Sequence, residues 1–202
     1  MTKNQMTVRV VVVGVCVLII AIVDSLVKGN GGGFFGELAN DGSPWLLLAF
    51  LSGAFAGQRR LLLGALIGLG ATLVGLMGYY FVDSFVMNFG PHSWPTDLRL
   101  AAVSGKEYFA LAILSGTVFG ALGAWWRRRL SIVPVVVLGL LFVVEALVRA
   151  IQADVFVQYV DLAAAVEVLL GVLWTVVALT KTKSLRQRAI VTNAQQNSAA
   201  LN

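Results

Sequence analysis

The sequence predicts an all-α fold: a polytopic membrane protein with six transmembrane helices, arranged as three tandem hairpins. Its 202 residues are 58% hydrophobic and only 12% charged, whereas soluble domains carry about 25% charged residues. The run from Leu61 to Val82 contains no charge, and a spanning helix needs only about 20 such residues. The basic residues flank apolar segments, which is typical of membrane orientation and not of a nucleic-acid surface. We therefore expect membrane lipids as partners and no nucleic acid.

One bundle, residues 1–180, accounts for most of the chain. The first span follows a basic start, which is also typical of signal peptides. Because the span contains Asp24 and no small-x-small cleavage site follows it, we do not expect it to be cleaved. The second is short and begins at Ser43-Pro44, expected as N-cap and first helical residue. The spans are expected at about residues 10–27, 45–57, 61–87, 107–126, 130–150 and 159–180.

The remaining segments connect these spans or follow them. Thr96–Val103 is expected to form a short interfacial helix before the fourth span. Three arginines end that span, and Pro134 lies near the start of the fifth. The tail, residues 181–202, is basic at first and suited to an anionic lipid surface. Its polar end is expected to be disordered.

The third span carries a stripe of small residues. Their spacing of 4, 3, 4 and 3 places them on one helix face. Helices in lipid associate where small residues let backbones approach closely, so we interpret this span as the one on which the others pack. A path lined by exposed backbone is the alternative. The stripe consists of Gly64, Gly68, Ala71, Gly75 and Gly78.

When successive loops are assigned alternately to the two sides of the membrane, most of the basic residues fall on one side. That side holds 11 of the 15 basic residues and none of the 10 acidic ones. By the positive-inside rule, both termini are expected in the cytoplasm of a bacterium, with the protein in its cytoplasmic (inner) membrane. The basic residues concerned are Lys3, Arg9, Arg59, Arg60, Arg127, Arg128, Arg129, Lys181, Lys183, Arg186 and Arg188.

Two similarities indicate an internal repeat. Residues 48–57 and 111–120 are identical at six of ten positions. The pattern V-[DE]-[SA]-[LF]-V recurs at 23–27, 82–86 and 144–148, so each unit is one hairpin and the three hairpins share one orientation. The first similarity also predicts small-xxx-small packing faces, formed by Ala49, Gly53 and Gly57 and by Ala112, Gly116 and Gly120.

Three acidic residues are candidates for a site inside the membrane. At 1.5 Å per residue, Asp24, Glu145 and Glu167 lie about 21–24 Å above the basic end of their spans, within a hydrocarbon core about 30 Å thick. Acids at that depth normally face a cavity or a partner, and Arg149 is a partner for Glu145. We expect an outward-facing pocket that binds a cation or relays protons. Helix-end acids in ordinary interfacial pairs are the alternative.

Three residues beside the small-residue stripe could line the same pocket. Thr72, Tyr79 and Asp83 have compatible helical spacing, and Asp83 is expected to reach the lipid headgroups.

Metal and cofactor chemistry are not expected. The chain has one histidine, His92, and one cysteine, Cys16, so it lacks the residues for a typical zinc site. Residues 31–36 match G-x-G-x-x-G, but a membrane helix and not a strand precedes them, which excludes the dinucleotide interpretation. We therefore expect no cofactor and no metal.

Two segments, S-P-W-L-L-L-A-F at 43–50 and V-F-G-A-L-G-A-W-W-R-R at 118–128, resemble a family of small uncharacterised actinobacterial six-helix membrane proteins. The resemblance implies the fold and no activity, because none is assigned to that family. Size and span count are also similar to those of substrate-binding subunits of vitamin transporters, although their first-helix alanine motif is absent from Val10–Val27.

Three functions remain open. The leading hypothesis is a small transporter or ligand-binding membrane subunit with an acidic pocket. The first alternative is an intramembrane enzyme that uses Glu145, Glu167 or Asp24 as general acid on a lipid or isoprenoid, although no nucleophile–base pair is visible. The second is a non-catalytic assembly subunit whose small-residue faces bind a partner membrane subunit or a second copy of the chain.

The predicted topology is tested by cysteine labelling in a Cys16→Ser background. Ser93→Cys should react with a membrane-impermeant thiol reagent in intact cells, because its loop is expected outside. Ser184→Cys should react only after permeabilisation. Labelling of both positions in intact cells, or the reverse pattern, would remove the six-span topology.

Overall fold

The structure is a computed structural model that describes residues 3–29, 42–56, 60–86, 94–152 and 160–200. Throughout these ranges the regular structure is helical, which confirms the all-α class. The helices are α1 (Lys3–Gly29), α2 (Ser43–Ala56), α3 (Leu61–Val86), α4 (Trp94–Ser104), α5 (Lys106–Arg129), α6 (Val133–Gln152) and α7 (Val160–Ala200).

Five of the described helices, α1, α3, α5, α6 and α7, are long and apolar enough to cross a membrane. Helix α2 is also apolar but has only 14 residues. Large apolar side chains cover the outside of the bundle, and Leu62 and Ile151 are about three-quarters exposed, at 75% and 74%. Because lipid and not water suits such a surface, the chain is a helical membrane protein.

Contacts at one end of the bundle show that successive spans alternate in direction. The Arg9 guanidinium, near the start of α1, donates a hydrogen bond of 3.1 Å to the carbonyl of Phe55 near the end of α2. Gly64, near the start of α3, lies against Ala124 near the end of α5. We call this the basic end, because Arg9, Arg60, Arg127, Arg128 and Arg129 lie there.

The opposite end contains acidic residues of the described helices. Tyr80 near the end of α3 stacks on Phe109 near the start of α5, with ring centroids 5.7 Å apart. The start of α2 meets acidic side chains of α6 and α7 there. We call it the acidic end; Asp24, Asp83, Glu107, Glu145 and Glu167 lie towards it.

Helices α3, α5 and α2 meet through backbone contacts at glycines. A Cβ added at Gly68 would lie 2.6 Å from Cα of Gly120, and one added at Gly53 would lie 2.7 Å from the same Cα. In the same α2–α5 interface, about one turn further along α5, a Cβ at Gly123 would lie 2.9 Å from the backbone nitrogen of Ala54. Such distances leave room only for hydrogen, so the close packing of these helices requires glycine.

The predicted stripe of α3 contacts three other helices. Its first half, with Gly64 and Gly68, packs on α5, whereas its second half packs on α1 and on Trp45 of α2. A Cβ at Gly78 would lie 2.6 Å from the Leu18 side chain, and one at Gly75 would lie 3.0 Å from Val17. Ala71, between the halves, is buried. Gly57, which was also predicted to pack, lies outside the described residues.

Aromatic side chains join α6 and α7 to the rest of the bundle. Phe50 of α2 is fully buried and contacts two indoles, Trp126 at 5.8 Å and Trp174 at 5.6 Å between ring centroids. The Trp126 indole nitrogen donates a hydrogen bond of 2.9 Å to the hydroxyl of Thr182, which is fully buried. The packed part of α7 therefore extends past residue 180, where the bundle was expected to end.

The tail differs from expectation. Helix α7 continues to Ala200, whereas residues from Asn193 onward were expected to be disordered. Residues 181–200 contain no glycine or proline, and their lysine, arginine, glutamine, leucine and alanine residues favour helix. The anchored turn at Thr182 provides the start from which such a helix propagates.

A matched pair of glycine substitutions tests the packing of α3. Gly68→Ala should lower the free energy of unfolding by about 1–3 kcal/mol, because the added methyl group meets the backbone of α5. Gly70 has no atom within 4 Å of an added Cβ, so Gly70→Ala should change stability by less than about 1 kcal/mol and favour the helix. SDS titration in mixed micelles measures the free energy of unfolding of both variants. Equal effects of the two substitutions would contradict the close packing of α3 on α5.

Candidate functional site

The first turn of α2 is the centre of the candidate site. The carbonyl of Gly42 accepts hydrogen bonds from the backbone nitrogens of Trp45 and Leu46, at 3.0 and 3.2 Å. Gly42 is therefore the N-cap, one residue before the position expected from sequence. The Ser43 hydroxyl is consequently not used to cap its own helix.

Two carboxylates from other helices bind this turn. Glu145 of α6 accepts a hydrogen bond of 2.5 Å from the backbone nitrogen of Gly42, and Glu167 of α7 accepts one from the hydroxyl of Ser43. In a capping box a glutamate of the same helix accepts from the N-cap nitrogen; here the glutamate comes from a different helix. When ionised, carboxyl groups at a helix N-terminus also interact favourably with its dipole.

The two carboxylates differ in their surroundings. The side chain of Glu145 is 29% exposed, and the guanidinium of Arg149 lies 4.0 Å from it, at the expected i,i+4 spacing. Glu167 is only 1% exposed and lies in the apolar segment Leu162–Leu185. A buried carboxylate in such a segment is costly and usually marks a functional or tightly paired group. Glu167 is therefore the most unusual ionisable residue in this cluster.

A second acidic group lies between α1 and α3. Asp24 and Asp83 are both close enough to the phenol of Tyr79 to interact with it electrostatically. Asp83 is buried, with 9% exposure, and its expected height at the lipid headgroups stays a prediction. Counting residues along α3 predicts only the height of Asp83 in the membrane. Its burial depends on the neighbouring helix α1.

The structure divides the predicted pocket into two groups. Within the described ranges, α1 packs on α3 and α2 and makes no contact with α6 or α7. The first turn of α2 lies between the groups, because Trp45 packs against Gly75 of α3 while Ser43 binds Glu167 of α7. Glu145 and Glu167 thus share one site, and Asp24 belongs to the other group.

Thr72 belongs to the helix interface and not to a pocket. The residue is 3% exposed, and its hydroxyl lies 2.9 Å from the carbonyl oxygen of Ala112 in α5, as well as within 3.2 Å of carbonyls of its own helix. It also lies directly against Gly116. The helical spacing predicted the correct face, but α5 covers that face.

Two positions of the three repeated pentapeptides agree in burial. Ser25, Ser84 and Ala146, each following the acid, are buried. The next residue of each pentapeptide is exposed, at Leu26, Phe85 and Leu147. This agreement follows from helical periodicity together with a shared orientation, and the repeat itself stays a prediction.

Sequence reasoning missed Gly42 and Ser43 as site residues. They lie 103 and 124 residues from the carboxylates that they bind. The only local signal was the Ser-Pro start of α2, which predicted the helix boundary and not its partners. Within the described ranges, no group of three His, Cys, Asp or Glu side chains is placed to bind a metal ion.

Comparison with known proteins gives one match. A family described as "Family of unknown function (DUF6518)" matches residues 1–201. No curated protein and no solved structure matches the chain.

Paired serine substitutions in α2 test the link to Glu167. Ser43→Ala should lower the free energy of unfolding by about 1–3 kcal/mol, because a buried carboxylate loses a hydrogen-bond donor. Ser52 is also buried, but its hydroxyl donates to the carbonyl of Leu48 in its own helix, so Ser52→Ala should cost less than about 1 kcal/mol. SDS titration measures both; an equal cost would show that Ser43 does not stabilise Glu167.

Proposed function

This chain belongs to the DUF6518 family, and we propose that it is a small membrane transporter in which Glu167 takes up and releases a proton. The observation that supports this proposal is the burial of Glu167 in an apolar span, beside the hydroxyl of Ser43. A carboxylate held away from water is stabilised either by hydrogen bonds or by protonation. Ionisable residues inside membrane helices commonly form proton relays and substrate sites.

Glu145 and Arg149 extend this site towards the surface. Glu145 binds the backbone nitrogen next to Ser43 and is partly exposed. A proton at Glu167 therefore has a second carboxylate nearby, on the side of greater exposure. The cluster thus contains a buried acid, a partly exposed acid and an arginine, which are the side chains used in proton and cation pathways.

We also propose that the acidic end faces the outside of a bacterial cytoplasmic membrane. The arginines at the start of α1 and at the end of α5 lie at the basic end of the bundle. Short basic segments beside membrane helices remain in the cytoplasm. With this orientation the acidic cluster takes its proton or ligand from outside.

The alternative functions have less support. The small residues proposed to bind a partner subunit, including Gly53, Gly68 and Gly120, are packed inside the bundle, so they offer no free face for assembly. The enzyme hypothesis requires a nucleophile or base beside the acid. Ser43 donates a hydrogen bond to Glu167, but the two residues are 0% and 1% exposed, so neither is accessible to a lipid or isoprenoid substrate.

Proton flux into liposomes tests the proposal. The purified protein is reconstituted with a trapped pH-sensitive dye, and a pH gradient is imposed in potassium medium with valinomycin. Wild-type protein should collapse the gradient faster than protein-free liposomes. Glu167→Gln should reduce the rate to that background, because the amide keeps the acceptor for Ser43 but has no titratable proton.

The matched control is Glu107→Gln, which removes an exposed acid at the start of α5. Its flux should equal that of the wild type, and all three proteins should unfold at similar SDS concentrations. A wild-type rate equal to that of protein-free liposomes, or an unchanged rate in Glu167→Gln, would overturn the proposal.

A further inference from the structure

An open cleft of about 440 Å³ lies at the basic end, opposite the carboxylates. It is formed where three spans end or begin: Leu61 is the first residue of α3, Arg129 is the last of α5, and Ser131 precedes α6. Because the ends of apolar spans lie at the boundary between hydrocarbon and headgroups, the cleft opens at the membrane surface.

Two arginines supply the charge of the cleft. Arg128 and Arg129 both line it and are exposed. Within the part of the chain that the structure describes, neither guanidinium makes a salt bridge or a hydrogen bond to protein. The acidic residues of the described helices lie towards the opposite end. The cleft is therefore positively charged and its guanidinium donors are available.

The remaining lining combines one hydroxyl with apolar surface. Ser131 contributes the hydroxyl, and Leu61 and Trp125 contribute apolar surface. Tryptophan is enriched at the membrane interface, where its ring lies at headgroup level. Guanidinium groups match the geometry of phosphate oxygens and bind them with paired hydrogen bonds. A ligand that fits carries a phosphate beside an apolar chain.

We propose that this cleft binds the phosphate headgroup of an anionic phospholipid. Arg128 and Arg129 bind the phosphate, and Leu61 and Trp125 contact the start of an acyl chain. Basic pockets between membrane helices on the cytoplasmic side are suited to anionic headgroups. The site is separate from Glu167, so it does not depend on the proposed proton transfer.

Native mass spectrometry of the full chain in detergent tests this site with three probes: phosphatidylglycerol, phosphatidylcholine and inorganic phosphate. Wild-type protein should retain one phosphatidylglycerol in preference to phosphatidylcholine. Arg128→Gln and Arg129→Gln should each weaken phosphatidylglycerol binding by about fivefold to tenfold, because each removes one charge from the site. These side chains are exposed, so the fold is retained.

Arg127→Gln is the matched control. It removes the same charge from the neighbouring residue, which does not line the cleft, and should weaken binding by less than about twofold. Equal losses in the three variants would show unspecific attraction and overturn the site. Equal retention of phosphatidylglycerol and phosphatidylcholine would also overturn the site. Binding of inorganic phosphate that displaces the lipid would assign the cleft to a soluble phosphate compound and overturn the lipid assignment.

Discussion

The bundle depends on the close approach of the α3 and α5 backbones. Gly68, Gly116 and Gly120 leave no space for a side chain between them, and the Thr72 hydroxyl lies within hydrogen-bonding distance of a carbonyl across the same interface. In lipid, burial of apolar surface contributes little to helix association, so van der Waals contacts and hydrogen bonds stabilise it instead. Glycine maximises that contact because it lets whole turns of backbone touch.

The rest of the bundle is assembled on this pair by two kinds of contact. Helices α1 and α2 pack closely on its small residues. Within the described residues, α7 packs closely on α6, where Gly139 meets Gly171, and reaches α2 and α5 through side chains. These side-chain contacts are Ser43 with Glu167, Phe50 with Trp174, and Trp126 with Thr182. Side-chain contacts leave more room for adjustment than backbone contacts do. The buried carboxylate thus lies where α7 meets α2 through side chains.

The two ends of the bundle have different chemistry. At one end, carboxylates bind the N-terminus of α2, and burial separates Glu167 from water. At the other, Arg128 and Arg129 line an open cleft. This polarity is consistent with the two proposals, proton uptake at one end and binding of an anionic phospholipid at the other. It follows from the alternating direction of the spans, which brings each basic segment to the same end.

The sequence by itself determined the helical class, the membrane location and the small-residue face of α3, because these depend on composition and on a period of 3.6 residues. From their expected depth it also predicted Asp24, Glu145 and Glu167 as candidate site residues. Only the tertiary structure decided that Asp24 belongs to a separate group, that α5 covers Thr72 and that Gly42 and Ser43 bind the two carboxylates. Depth along a helix follows from residue count, but neighbours around a helix depend on contacts between residues far apart in the chain.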